Sequence, residues 1–278
     1  MHTQKHPKKQ TSYVAKKPDA QGYVEYTPEE NSVWNTLYTR QMPIVTNRGC
    51  DEYIRGLELL NLSKDRIPQC PEVSQALQKA TGWSLEPVPA LIPFDRFFKL
   101  LANRKFPAAT FIRTRAELDY LQEPDIFHEV FGHCPMLTIP AYADFTQLYG
   151  QLGLNASPAD RVMLARLFWF TNEFGLIDTT KGLRIYGGGI LSSSSETVYC
   201  LESKKPQRVP LDVITALRTP YRIDILQPIY FVISGFETLF HLMDMDLMAK
   251  INEARQLGEL PPLYSTEDQQ TTGHSALK

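Results

Sequence analysis

The segment 158–176 constrains the fold more than any other. It carries Val162, Leu164, Leu167, Phe168, Phe170 and Phe174, spaced so that a helix here is apolar on nearly all sides. Such a helix belongs in the middle of a protein. Past Asp160 in its first turn, one carboxylate, Glu173, stands among these apolar residues. Burying it unpaired is costly, so the fold must bring it either a metal ion or a salt-bridge partner. With 278 residues, 43% of them apolar, the chain has material for one sizeable core around that segment.

The flanking pattern is mostly helical. Thr27-Pro28-Glu29-Glu30 reads as a capping box with proline at the first helical position. Behind it Val33, Trp34, Leu37 and Tyr38 recur at helical spacing. Helices are also expected over Cys50–Leu60, Pro71–Ala80 and Pro93–Leu101, with Gly82 closing the second of these. Strand-like pieces are few: Ala109–Ile112, Leu183–Tyr186 and Ile229–Ile233. The expectation is a mainly α fold with a small β component. One domain spans 23–261, between polar tails at 1–22 and 262–278 that are expected to be flexible. Lys8, Lys9, Lys16 and Lys17 read as a solvated arm.

A formal net charge of −2 argues against a nucleic-acid surface or attraction to anionic membrane. No run approaches the roughly 20 apolar residues that span a bilayer. The first ten residues, MHTQKHPKKQ, lack the apolar core of a secretory signal, so the expected compartment is the cytoplasm. Cys50, Cys70, Cys134 and Cys200 form no C-x-x-C pair and read as free, mostly buried thiols.

Of six histidines, His2, His6 and His274 fall in the tails, and His241 reads as a structural residue among apolar neighbours. His128 and His133 remain, in Pro124-Asp125-Ile126-Phe127-His128-Glu129-Val130-Phe131-Gly132-His133. The His-Glu pair resembles the zinc protease motif, but that motif needs histidines four apart. At about 100° per residue, a five-residue step on a continuous helix separates side chains by roughly 140°. Both rings reach one metal only if the helix distorts or ends between them, and Gly132 and Pro135 favour that. Glu173 is the best third ligand. Two imidazoles and a carboxylate on one face leave open positions, an arrangement that suits iron(II) oxygen chemistry. A further run, Tyr186-Gly187-Gly188-Gly189-Ile190-Leu191-Ser192-Ser193, lets backbone approach a ligand closely or forms a flexible turn. Its serines are placed to orient a ligand histidine.

These motifs resemble the catalytic domain of the pterin-dependent aromatic amino acid hydroxylases, over about residues 25–245, and in particular the bacterial phenylalanine hydroxylases. The most specific words are Pro124 through His133, Trp169-Phe170-Thr171 with Glu173-Phe174-Gly175, and Tyr186 through Ser193. The resemblance implies a single catalytic domain that uses O2 and tetrahydropterin to hydroxylate L-phenylalanine to L-tyrosine. It implies that His128, His133 and Glu173 bind iron(II), that the pterin stacks on Phe97 near Leu91 and Ile92, and that Glu129 lies beside it. It implies that Arg113, held by Asp125, grips the substrate carboxylate, and that Tyr120, Trp169, Gly189, Ser192 and Ser193 line the amino acid pocket.

This chain departs from the animal members of the family. Phe168 replaces a tyrosine near the iron, and Leu121 replaces a substrate-contacting threonine. The animal regulatory domain and tetramerisation helix have no counterpart, so a monomer is expected. Val232 stands where the tyrosine-specific branch carries an acid, and it offers a phenol no partner, which favours phenylalanine; a tryptophan or tyrosine hydroxylase of the same family is the alternative. A zinc hydrolase with Glu129 as general base is the competing enzyme class, and a helical binding protein with a structural metal is the non-enzymatic one.

Overall fold

The structure, a computed structural model, describes residues 13–264 apart from Gln122. His2, His6, Lys8, Lys9 and His274 lie outside the described residues. The first helices run α1 (Pro28–Val45), α2 (Asp51–Leu60), α3 (Cys70–Thr81) and α4 (Phe94–Ala102). The centre of the chain supplies α5 (Cys134–Leu137), α6 (Pro140–Asn155), α7 (Pro158–Phe168), α8 (Gly188–Leu191) and α9 (Ser194–Glu202). The last are α10 (Val213–Arg218), α11 (Glu237–Asp244) and α12 (Leu247–Leu257). Strands β1 (Ser84–Val88) and β2 (Lys105–Ala109) form a parallel pair. Strands β3 (Leu176–Thr179), β4 (Gly182–Ile185), β5 (Gln207–Pro210) and β6 (Ile229–Ile233) form a sheet in the order β4-β3-β6-β5. One cluster of buried apolar side chains runs from Val33 to Ala254 and ties these elements together.

The caps are where the sequence places them. Thr27 and Glu30 exchange the two hydrogen bonds of a capping box at the start of α1. Gly82 closes α3 at φ 77°, a left-handed conformation open to glycine. Part of the expected solvated arm is instead held. Tyr13 stacks on Phe111 at 3.7 Å between ring centroids, and the Lys16 ammonium meets Glu30 at 2.6 Å. The capping carboxylate supplies the partner that a solvated lysine would lack.

Several expectations move. The strand expected over 109–112 lies at 105–109. The run 158–176 is not one helix: α7 ends at Phe168, and β3 begins at Leu176. Its first turns lie nearer the surface, with Val162 exposed, while Leu164, Leu167, Phe168 and Phe170 are buried. His241 is exposed on α11 rather than packed among apolar residues, because its neighbours Leu239 and Leu242 turn to the core and leave the histidine on the solvent side. All four cysteines are free and buried.

Candidate metal centre

The five-residue step between the histidines is resolved by a wide, π-helical turn over His128–His133. Its hydrogen bond runs from the Cys134 N–H to the Glu129 carbonyl, five residues back. Pro135 gives the local cause. It lacks the N–H that an α-helix would donate to Phe131, and its ring crowds that carbonyl. The freed Phe131 carbonyl accepts instead from the Tyr53 hydroxyl at 3.0 Å. The helix therefore widens and continues into α5.

A second wide turn, Trp169–Glu173, carries the carboxylate. There the Phe174 N–H reaches the Trp169 carbonyl at 2.8 Å, again five residues back. The Thr171 hydroxyl occupies the Leu167 carbonyl at 2.6 Å, a back-bond that opens helical turns.

The two turns bring His128, His133 and Glu173 together. The two Nε2 atoms are 3.1 Å apart, and Glu173 Oε2 lies 3.2 Å from His133 Nε2 and 3.6 Å from His128 Nε2. Three ligand atoms at right angles around one ion, each about 2.1 Å from it, are spaced about 3.0 Å apart. The cluster fits a metal ion bound on one face. Burial pushes the His128 imidazole down to about 4. Burial opposes the charge of Glu173, yet the two imidazoles hold its carboxyl below the usual range. Neutral imidazoles and an ionised carboxylate are the forms that bind metal.

The surroundings fix these groups. The Ser192 hydroxyl donates to the Gly188 carbonyl at 2.9 Å. With its one proton spent, it accepts from His128 Nδ1–H at 2.9 Å, which leaves the Nε2 lone pair for a metal. Ser192→Ala is expected to weaken metal binding roughly 10- to 100-fold with little change in fold; competition with a chromogenic chelator measures it. The glycine run presses against the candidate ligands themselves. A Cβ on Gly132 would meet the Gly188 carbonyl oxygen at 2.5 Å, and one on Gly188 would meet the His133 ring at 2.5 Å.

His128 and Glu173 open onto a cavity of about 500 Å³, while His133 is buried behind them. Arg113, Tyr120, Trp169, Gly189, Ser192 and Ser193 line the same cavity. Asp125 does not line it but lies fully buried, accepting from Arg113 Nε and Nη2 at 2.8 and 3.0 Å. It also accepts from the His128 N–H at 3.0 Å, so one carboxylate ties the arginine to the start of the wide turn. Each partner stabilises the other's charge despite burial. Ser193 caps α9 by accepting from the Glu196 N–H.

Of the four residues expected beside a pterin, only Leu91 lines this cavity. Ile92 and Phe97 are half-buried at the entry to α4, and the Phe97 ring stands edge-on to Phe168 at 5.5 Å. Glu129 is buried, and burial with the nearby Glu173 and Asp125 charges holds its carboxyl well above the usual range. Leu121 lines the cavity. Val232 does not; it pairs with Leu176 and Pro210 inside the sheet.

The sequence reading missed Glu196. It is buried and lines the cavity, and it accepts from the Gln227 N–H at 3.0 Å and from the Tyr230 hydroxyl. Its position three residues after Ser193 disguises it as a capping glutamate. Burial raises its carboxyl from 4.5 to about 7, against the two hydrogen bonds that favour the charge. The folded protein therefore holds this proton more tightly than the unfolded chain. The resulting stability is complete below about 4.5 and is lost as pH rises through about 7. Urea midpoints of wild type and Glu196→Gln across that window are expected to converge at the acid end, after allowing for a constant offset, with wild type losing more towards pH 8.

The chain matches the family described as biopterin-dependent aromatic amino acid hydroxylase over residues 3–254. It is 57% identical over 256 residues to the phenylalanine-4-hydroxylase of Pseudomonas aeruginosa, covering 92% of this chain and 97% of that one. Among solved structures, phenylalanine hydroxylase from Legionella pneumophila is 55% identical at a TM-score of 0.89, covering 91% of this chain and 100% of that one. The Chromobacterium violaceum enzyme with bound iron(III) and oxidised 7,8-dihydrobiopterin is 44% identical at a TM-score of 0.82, covering 87% and 90%. With a matching family over nearly the whole chain, relatives above half identity, and two wide turns gathering two histidines and a glutamate beside an arginine-lined cavity, this chain belongs to the biopterin-dependent aromatic amino acid hydroxylases.

Proposed function

We propose that this chain is a phenylalanine 4-monooxygenase, converting L-phenylalanine and O2 to L-tyrosine with tetrahydropterin at an iron(II) held by His128, His133 and Glu173. The observation that carries this reading is the shared cavity: the open side of the His-His-Glu cluster and the Arg113 guanidinium face one space. Its volume, about 500 Å³, suits an amino acid together with a flat heterocycle. Iron and tetrahydropterin, when bound, supply the activation of O2 and the electrons for ring hydroxylation.

The chain's own residues bind and orient. Asp125 occupies one edge of the Arg113 guanidinium and fixes its plane. The remaining N–H groups are left to grip the substrate carboxylate. Trp169 and Tyr120 line the same cavity and offer aromatic surface to the substrate ring. The pterin is proposed to lie against exposed Leu91, which lines the cavity, and towards the half-buried Phe97 ring, which does not. Glu129, buried next to His128, is the polar group the proposal sets beside that heterocycle. A positioned ring reacts faster because orientation no longer has to be found during the reaction.

A cytoplasmic, monomeric enzyme is part of the proposal. Four free buried cysteines support a reducing compartment, and among the described residues no helix is long and apolar enough to cross a membrane. The test is tyrosine formation with and without added iron and tetrahydropterin, followed by competition among phenylalanine, tyrosine and tryptophan. Tyrosine formation that needed both additions and favoured phenylalanine is the expected result. Turnover with zinc alone would overturn it, and so would a clear preference for tryptophan or tyrosine.

A further inference from the structure

The metal centre makes no use of a buried polar chain that meets the same cavity at Glu196 and Trp169. It begins at Glu196, on the first turn of α9, which is 5% exposed. Among the described residues no lysine or arginine forms an ion pair with it, so its partners are hydrogen-bond donors alone: the Gln227 N–H at 3.0 Å and the Tyr230 hydroxyl. Both donors belong to the segment that enters β6.

Gln227 is itself 1% exposed, and every polar atom of its side chain is engaged. The amide NH2 donates to the Arg222 carbonyl at 2.8 Å and the Ile225 carbonyl at 2.9 Å. Those two bonds settle which end of the amide is oxygen. The oxygen therefore faces Trp169, accepting from its indole N–H at 3.2 Å.

Trp169 has two kinds of restraint. Tyr221 stacks on it with centroids 4.4 Å apart and planes 18° apart, and Phe174 lies at 4.4 Å and 30°. Ring contacts of this sort fix the plane of the indole but are tolerant of sliding and turning within that plane. The indole N–H is directional and has one acceptor, Gln227. That hydrogen bond is a directional restraint on the in-plane orientation of the ring, which lines the cavity.

We propose that Gln227, anchored from behind by Glu196 and Tyr230, is a positioning residue that holds Trp169 in register for the amino acid substrate. This rests on the proposed function, since it concerns how the same cavity receives phenylalanine. Glu196 is given no contact with metal or substrate. It acts on the Gln227 main chain, and Gln227 acts on the indole. The buried carboxyl accepts from the Gln227 N–H whether or not it carries a proton, so the arrangement survives across neutral pH.

The test is a double-mutant cycle in the iron-loaded protein. Gln227→Leu, Trp169→Phe and the double variant are compared with wild type by calorimetric titration of L-phenylalanine, by KM and kcat, and by the ratio of tyrosine formed to tetrahydropterin oxidised. Removing one neutral hydrogen bond corresponds to a change of roughly 3- to 10-fold. Gln227→Leu is expected to weaken phenylalanine binding and raise KM by about that factor, with a smaller effect on kcat, and to lower the tyrosine-to-pterin ratio. In the Trp169→Phe background, which has no indole N–H, the same substitution is expected to change binding less than about 2-fold. Glu196→Leu should reproduce the Gln227→Leu pattern, and Glu196→Gln, which keeps an acceptor, should restore most of it. Equal effects of Gln227→Leu in both backgrounds would overturn the proposal, as would a Gln227→Leu protein that binds phenylalanine as wild type does. Additive variants of an active wild type defeat this positioning role alone. A wild type that neither bound nor hydroxylated phenylalanine would defeat the proposed function and this inference with it.

Discussion

Glu173→Ala is expected to lower tyrosine formation by more than about 100-fold at any iron supply, beyond the upper end of what loss of a mere supporting contact costs a metal site. Glu173 Oε2 stands 3.2 and 3.6 Å from the two imidazole nitrogens, so removing it takes away one of three ligand atoms. The effect should also appear without turnover. An ion that binds only the folded protein raises its melting temperature in proportion to the logarithm of its concentration. Wild type is expected to show that rise with iron(II), and Glu173→Ala to lose most of it. In the metal-free state the variant should lose some stability of its own, because the two imidazoles hold the carboxylate's charge against burial, but that loss does not depend on iron. Differential scanning calorimetry with and without iron separates these cases. A variant that kept both the iron-dependent rise and near-normal turnover would remove Glu173 from the ligand set.

Asp125→Ala is expected to be the most destabilising single change near the cavity. Asp125 is fully buried and accepts four hydrogen bonds, from Arg113 Nε, Nη2 and N–H and from the His128 N–H. Removing one partner of a buried ion pair costs about 3–5 kcal/mol, since the other charge is left uncompensated. For a chain of this size that corresponds to a fall in Tm of roughly 6–20 °C. Phenylalanine binding should weaken with it, because the guanidinium loses the carboxylate that fixes its plane. The paired change Asp125→Leu with Arg113→Met separates the two effects. It leaves no unpaired charge, so much of the lost stability should return while phenylalanine binding stays poor. A melting temperature for Asp125→Ala within about 2 °C of wild type would mean that the pair contributes far less than its burial implies.

Local chemistry made much of the fold legible. The Thr27 box, the proline that opens α3 and the glycine that closes it each act over a few residues, and each lies where its sequence signal falls. Strands β1 and β2 were harder because Pro87 and Pro107 stand inside them, and proline argues against a strand. In a two-stranded pair both members are edges, so a missing N–H is tolerated where a central strand could not bear it. The metal cluster was visible as a conflict rather than a solution. A five-residue step from one histidine to the next, with Gly132 and Pro135 nearby, showed that regular winding had to fail, but not that it would fail as a wide turn. Tyr53 completes that turn from 78 residues away, a contact no local pattern announces. Glu196 and Gln227 stayed hidden for a related reason: each has an ordinary local reading, and only tertiary contact reveals the other.

Gly132 and Gly188 meet with no side chain between them, and His133 lies directly against the second. A seam made of main chain has no rotamers through which a neighbouring substitution can be relayed. The cavity's outer wall is built differently, from side chains such as Tyr120, Leu121, Ile223 and Leu226. Exchanges in that wall can reshape the space offered to an aromatic ring while the ion's seat stays where the backbone puts it. A scaffold divided in this way can drift from one aromatic amino acid to another without surrendering its oxidative chemistry.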